Sequence, residues 1–235
     1  MADIPNRDTL EAQLARALAK FGGERLDALL PLLGDPPSVD NVPASFWQAY
    51  DEDLRALLGP FLAKVYAQGA NAAPIPPAAV VSGANWSMPN VNAAAWADSY
   101  TYDLVTGINA TTRDLLAEAV RNAIETGQTR ADLADALTPA FGPVRAEMIA
   151  VTEVTRAVAE GEARVIDDLA KSGIEMVGTW QTANDEIVCP ICAPLDGVQA
   201  EGGVFTHPET GDTYELPPAH PRCRCVIGYT MAGKQ

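Results

Sequence analysis

All four cysteines of this chain lie between residues 189 and 225, in two short pieces of sequence. The first piece, "CPICAPLDG", contains a C-x-x-C pair, and the second, "PPAHPRCRC", contains two more cysteines and a histidine. A link between the pieces would close a long loop, so these residues constrain the fold of the C-terminal part strongly. Four interpretations compete: a metal site, disulfide bonds, reduced thiols that only pack, and reactive catalytic thiols.

The residue types in both pieces are typical zinc ligands. A tight turn can point the thiolates of Cys189 and Cys192 at one ion. His220, Cys223 and Cys225 offer three more donors where a four-coordinate site needs two. The sequence therefore predicts one structural zinc ion at these five residues, and it leaves open which two of the last three bind.

The other interpretations are weaker but stay open. No basic segment followed by an apolar one opens the N-terminal sequence, so we expect a reducing cytosolic setting that disfavours disulfides. Asp185 and Glu186 would raise the pKa of Cys189, which disfavours a catalytic thiol. Packed thiols with a hydrogen bond to His220 are the main alternative to a metal. His207, in "FTHPETG", is expected to be a surface or turn residue rather than a ligand.

Residues 173–235 are predicted to form a small β-rich module. "EMVGTWQTA" and "RCVIGYTM" have the composition of strands, and "GGVFTH" and "DTYEL" flank the turn sequence "PETG", which indicates a hairpin. The segment has few large apolar residues, so it needs a staple or a neighbouring element for stability.

The rest of the chain predicts helices, which gives an α+β fold, mainly α, with a helical body followed by the cysteine-bearing module. The predicted helices cover residues 8–33, 45–70, 91–106, 111–126, 129–137 and 143–170. We expect Gly22–Gly23 to interrupt the first helix, Gly59–Pro60 to kink or split the second, and Gly107 to end the third.

The predicted domain organisation has four parts. Residues 1–72 form an N-terminal helical region, 73–90 a proline-rich linker, 91–172 a helical core, and 173–235 the β-rich module. Trp86 and Met88 in the linker are expected to pack against the helices.

The charge and the missing motifs exclude several classes of function. The net charge is −15, from 31 acidic and 16 basic residues, and no Lys/Arg cluster is present, so tight nucleic-acid binding is not expected. No apolar run reaches the length of a transmembrane helix.

The common phosphate-binding, dinucleotide-binding, nucleophile-elbow and zinc-protease motifs are missing. Glu153 and Arg156 are expected to pair on a helix rather than to catalyse. The sequence predicts a protein that is not an enzyme.

Three stretches in order, "AEMIAVTEVTRAVAEGE", "TWQTANDEIVCPICAPLDG" and "PPAHPRCRC", resemble the phage Mu F-like minor head proteins, also called the phage head morphogenesis family. The resemblance covers about residues 104–226. The family's motif residues correspond here to Thr182, Asp185, Cys189, Cys192, Leu195, Asp196, Gly197, Pro218, His220, Pro221, Cys223, Arg224 and Cys225. One departure is Val151, which stands where the family often has a basic residue before the "TE" pair.

The resemblance implies a structural protein of a phage head, present in few copies near the portal and the inner capsid face. It implies portal protein and major capsid protein as partners, a location in the virion, and roles in head assembly and in DNA packaging or ejection. Two alternatives remain at this stage. One is a metal-dependent nuclease or toxin-associated enzyme module, and the other is a zinc-stabilised adaptor that binds another protein.

Overall fold

The computed structural model describes residues 4–76, 89–183 and 188–233. The described chain is mainly helical and ends in short antiparallel strands, which confirms the predicted fold class. The helices are α1 Arg7–Leu29, α2 Ala44–Ala72, α3 Pro89–Thr126, α4 Arg130–Phe141 and α5 Pro143–Lys171. The strands are β1 Met176–Gln181, β2 Phe205–Thr206, β3 Thr213–Tyr214 and β4 Val226–Met231. None of the described helices is both long and apolar enough to cross a membrane.

Two predicted helix interruptions are wrong, because α1 continues through Gly22–Gly23 and α3 through Gly107. α2 is not split at Gly59–Pro60, and a kink there stays a prediction. A glycine costs a helix only about 1 kcal/mol, which tertiary packing of the apolar face offsets. Thr111 does not cap a new helix, because its hydroxyl donates to the Gly107 carbonyl 2.9 Å away within α3. Trp86 and Met88 lie outside the described residues.

The chain divides into two compact units. Residues 1–10, 62–95 and 151–235 form the unit that we call the cysteine unit, and residues 11–61 and 96–150 form the helical unit. The domain bounds that the sequence suggests, at residues 72, 90 and 172, stay a prediction.

The helical unit has an apolar core of leucines and aromatic rings. The rings of Phe21 and Tyr50 pack edge to face, with their centroids 5.0 Å apart. The Arg145 guanidinium joins the start of α5 to α3 and α4, since it donates to the Thr112 hydroxyl at 3.0 Å and to the Ala140 carbonyl at 2.9 Å. A helix starts at Thr129 as the sequence predicts, and the structure adds a capping box that Thr129 forms with Asp132 at the beginning of α4.

In the cysteine unit, α2 and α5 approach backbone to backbone. A Cβ on Gly69 would lie 2.3 Å from the Val158 carbonyl oxygen, and one on Gly161 would lie 2.1 Å from the Tyr66 carbonyl oxygen. Only glycine allows this approach. Beyond it, Ala70, Ala73, Val165 and Leu169 form a small apolar cluster.

The strands form two small antiparallel sheets. β1 pairs with β4 from Met176↔Met231 to Gln181↔Val226, and β2 pairs with β3, so the strands and the hairpin follow the sequence prediction. Residues 197–200 run beside β1. There Gly197 donates to the Trp180 carbonyl and Trp180 donates to the Val198 carbonyl, both at 2.8 Å. These elements surround Trp180, whose side chain is fully buried.

Candidate metal centre

The five predicted metal donors lie together in the cysteine unit. They form two overlapping triads, and within each triad the donor atoms are within 4.8 Å of one another. The first triad is Cys189, Cys192 and His220, and the second is Cys192, Cys223 and Cys225. Cys192 belongs to both triads. A cleft of about 30 Å³ opens between the donors, which is room for one ion or water molecule.

The "CPIC" segment folds as a tight turn that brings its two thiols together. The Cys192 N–H lies 3.1 Å from the Cys189 carbonyl oxygen and 3.4 Å from the Cys189 sulfur. A 3₁₀ helix, Ala193–Leu195, continues from the turn and places Leu195 in the apolar cluster around Trp180. The first donor pair is therefore anchored by backbone hydrogen bonds and by a buried leucine.

Asp196 and Thr182 join this turn to the end of β1. The Thr182 N–H and hydroxyl both donate to Asp196 Oδ1, at 2.8 and 3.0 Å. Thr182 is buried, so the charged acceptor strengthens both bonds. These two motif residues hold the loop that follows the first cysteine pair.

His220 turns the Nε2 edge of its ring toward the thiols. Its Nε2 lies 2.9 Å from Cys189 Sγ and 3.1 Å from Cys192 Sγ. Its Nδ1 lies 2.7 Å from the Pro221 carbonyl oxygen, which can only accept, so Nδ1 carries the proton. The Nε2 lone pair is thus directed at the sulfurs, which is the tautomer that a metal-binding histidine needs.

The thiols of the second triad share their protons unequally. The pKa of Cys192 is raised, because its S–H donates to Cys223, with further contributions from Cys225 and from burial. The pKa of Cys223 is lowered, because its sulfur accepts from Cys192 and Cys225. Backbone N–H groups of Cys225 and Ala219 also face the Cys223 sulfur. The site therefore stabilises a thiolate at Cys223, the form in which cysteine binds a metal.

One donor distance matches a tetrahedral ion. Zn–S bonds of about 2.3 Å set about 3.8 Å between two sulfur ligands, and the Cys192 and Cys223 sulfurs are 3.7 Å apart. The same ion sets about 3.5 Å between a nitrogen and a sulfur ligand, whereas His220 Nε2 lies nearer to the two sulfurs, at 2.9 and 3.1 Å, so these donors must separate slightly to bind one ion. All four cysteines are free thiols in this structure. The four thiols and the imidazole are donor types that a structural metal site takes.

His207 is not among the donors. It is buried, and it organises the β2–β3 turn: its Nδ1 accepts from the N–H groups of Glu209 and Thr210, both at 3.2 Å. The turn position agrees with the sequence prediction, whereas the surface position is wrong. Its Nε2 donates to the Ile191 carbonyl at 3.2 Å, so His207 also supports the "CPIC" turn.

Two threonines of α5 hold the second donor segment, and sequence reasoning missed both. The Thr155 hydroxyl lies 2.7 Å from the Cys223 carbonyl oxygen, and the Arg222 N–H donates to the Thr152 hydroxyl at 2.9 Å. Arg7 donates to Thr155 from α1. The threonines are three residues apart and so lie on one helix face, which is the only signal in the sequence.

Glu153 and Arg156 form the expected pair on α5, with 3.7 Å between Glu153 Oε2 and Arg156 Nε. Glu153 is buried.

Replacing Thr155 by valine is expected to lower the stability of the cysteine unit by about 1–3 kcal/mol, because the Cys223 carbonyl and the buried Arg7 both lose a partner. Denaturant unfolding followed by fluorescence of the buried Trp180 measures this change. Thr111→Val is the matched control, since that exposed hydroxyl donates to a carbonyl of its own helix; we expect a change within about 0.5 kcal/mol. Equal losses in both variants would contradict the assigned role.

Comparison with protein families gives a match for about half of the chain. Residues 114–228 match the family described as phage Mu protein F like protein. These residues form a phage Mu F-like domain. The match runs from the second half of α3 through α4, α5 and the donor segments to β4. No curated protein and no solved structure gave a significant match.

The Mu F-like domain includes all five candidate donors and both supporting threonines. It also includes His207 and the Thr182–Asp196 contact. The resemblance in the sequence and the matched range therefore coincide with the part of the chain that builds the candidate site.

Proposed function

We propose that this protein is a structural, non-enzymatic component of a phage head, and that one structural zinc ion closes its cysteine unit. The observation that carries the proposal is the Mu F-like match over residues 114–228, which ends on the donor cluster. The family suggests a role in phage head morphogenesis. The finer proposal is a minor head protein near the portal and the inner capsid face, active in head assembly and in DNA packaging or ejection.

The chemistry of the donors supports a structural ion rather than a catalytic one. Structural zinc sites are closed by four Cys or His ligands, whereas catalytic sites keep a position for water or substrate. Among the described residues, both groups that could hold a metal contain only cysteine and histidine. Three of these side chains are buried. The zinc would supply a cross-link between the "CPIC" turn and the segment that rests on α5.

The proposed partners are the portal protein and the major capsid protein, with no tight nucleic-acid binding. The net charge of −15 supports protein partners, because duplex DNA would be repelled by most of such a surface. Submicromolar binding of the full chain to duplex DNA at low salt would contradict this part of the proposal.

The proposal is tested in the phage that encodes this chain. An amber mutation in the gene is expected to remove infectious particles, and mass spectrometry of purified wild-type heads is expected to find the protein in few copies. The wild-type gene and the Ile191→Ala variant, supplied in trans, should restore plaques, because Ile191 is a half-exposed residue of the same turn without a donor atom. Cys192→Ala should not restore them, because Cys192 belongs to both donor triads. Normal heads without the protein would overturn the proposed role.

Metal affinity is expected to fall as the pH falls. The raised pKa of Cys192 means that the metal-free site holds this proton at neutral pH, so a bound ion must displace it. Acid opposes that displacement, and each displaced proton changes the affinity about tenfold per pH unit. Competition with a chromophoric chelator between pH 6 and 8 measures the slope. An affinity independent of pH over this range would contradict thiolate ligation.

A further inference from the structure

The first turn of α1 belongs to the cysteine unit, although the Mu F-like match does not include it. Residues 1–10 group with residues 151–235, whereas the match begins at residue 114. Ile4 and Leu10 are each 4% exposed, and Arg7 is 7% exposed. Because Arg7 and Leu10 are three residues apart in a helix, they share one face. The guanidinium of Arg7 therefore lies on a buried face rather than in solvent.

The chain enters α1 through a residue with an unusual backbone conformation. Asn6 has a φ of 75°, in the left-handed region that asparagine adopts more readily than most residues. Its carbonyl accepts from the Leu10 N–H at 3.0 Å. A positive φ outside glycine persists where the surrounding structure holds it. This entry fixes the start of α1 and places Arg7 in its first turn.

Arg7 reaches the second donor segment, residues 220–225, through one hydroxyl group. The guanidinium donates to Thr155 Oγ1, which lies 2.7 Å from the Cys223 carbonyl oxygen and 2.9 Å from the Val151 carbonyl oxygen. A hydroxyl has one proton and two lone pairs, so Thr155 can accept from Arg7 and still donate to a carbonyl. The positive charge polarises the hydroxyl, which strengthens the hydrogen bond that Thr155 donates.

The second donor segment contains a strained residue and needs such anchors. Arg222 has a φ of 64°, a conformation that is costly for a residue with a long side chain. Its N–H donates to the Thr152 hydroxyl at 2.9 Å, and the next carbonyl, that of Cys223, contacts Thr155. The first anchor joins two residues of the Mu F-like match, whereas the second also includes Arg7.

We infer that Arg7 is a positioning residue of the candidate metal centre, which holds the second donor segment on α5 through Thr155. Residues 4–10 then complete the Mu F-like domain from a part of the chain outside the matched range. The inference goes beyond the proposed function, because it concerns the backbone of the segment and does not require a bound ion.

Amide hydrogen exchange of the full-length protein, measured by NMR on the protein as purified, tests this role. Arg7→Met removes the donor and keeps an apolar side chain of similar reach. It is expected to speed the exchange of the Arg222 and Cys223 amides about tenfold, because a hydrogen bond from a charged donor is lost. The His207 and Gly211 amides, which are bonded within the β2–β3 hairpin, should keep their wild-type rates. Arg7→Lys retains a charged donor and should restore most of the protection.

Leu10→Ala is the matched control, because Leu10 is buried in the same turn and its side chain has only apolar contacts to lose. It should speed exchange in the donor segment and in the hairpin by similar factors. The same uniform pattern in Arg7→Met, or unchanged exchange, would overturn the inference, as would an Arg7→Lys protein that exchanges as fast as Arg7→Met.

Arg7→Gln decides the case if Arg7→Met does not fold. This neutral, shorter donor should give a smaller effect that is confined to the same two amides, and a uniform effect or none would overturn the inference. A folded wild-type protein without zinc would overturn the proposed zinc site and leave this measurement unaffected.

Discussion

Replacing Cys192 by alanine is expected to abolish stoichiometric zinc binding and to unfold the strand-bearing part of the cysteine unit. Cys192 is shared by both donor triads, so its loss disrupts every four-ligand set that includes two donors from each segment. Apparent binding free energies of structural zinc are about 10–16 kcal/mol, as large as the whole stability of a small domain. Metal analysis and the fluorescence of Trp180, which is fully buried, measure the two effects.

Ile191→Ala is the control for this variant, because residue 191 lies in the same turn, is 44% exposed and offers no ligand atom. It should bind zinc like the wild type. A strong chelator added to the wild type should reproduce the Cys192→Ala spectrum, and zinc should reverse it. A native-like Trp180 signal in metal-free Cys192→Ala would show that packed thiols, rather than a metal, hold the unit.

Replacing Gly161 by alanine is expected to destabilise the cysteine unit by about 3 kcal/mol or more. The new Cβ would lie 2.1 Å from the Tyr66 carbonyl oxygen and 2.8 Å from the Ala70 nitrogen. Both neighbours are backbone atoms of α2, so a rotamer change cannot relieve the overlap and the helices must separate. Thermal and denaturant unfolding measure the loss, and Gly69→Ala should behave similarly because its Cβ would meet the Val158 carbonyl.

Gly107→Ala is the matched control for those two variants. Gly107 lies inside α3 with nothing within 4 Å of the position of a Cβ. Alanine there is expected to stabilise the protein by about 0.5–1 kcal/mol through helix propensity alone. A Gly161→Ala protein as stable as Gly107→Ala would contradict the close approach of α2 and α5.

Short sequence patterns predicted the turns, strands and helix starts that depend on residues close together in the chain. The "CPIC" turn, the hairpin at "PETG" and the two strands β1 and β4 all follow from short patterns of residue type, whereas the pairing of β1 with β4 was not predicted. The capping box at Thr129 also depends only on residues three apart. In the turns and the capping box the interacting residues are neighbours in the sequence. In the strands, residue types alternate in the way that is typical of a strand.

The helix boundaries could not be predicted from propensity. Gly107 and the Gly22–Gly23 pair have the local properties of helix breaks, yet the buried faces of α1 and α3 continue past them. Gly161 shows the second reason, because its value lies in a contact with residues about ninety positions earlier in the chain. A single sequence does not indicate which mid-helix glycine costs stability and which one allows two helices to meet.

The surroundings of the candidate site were also beyond the sequence. Thr155 contacts a carbonyl 68 positions away, and His207 supports the "CPIC" turn from the hairpin. In an extended segment Cys223 and Cys225 point to the same side, so spacing alone does not separate a ligand from its neighbour.

We propose that a metal ion cross-links the two cysteine segments of this Mu F-like domain. The most direct test is the metal content of the full-length protein, purified under reducing conditions without chelator and measured by mass spectrometry of the elements. The account predicts one zinc ion per chain in the wild type and none in Cys192→Ala. A folded wild-type protein with four reduced thiols and no bound metal would contradict it.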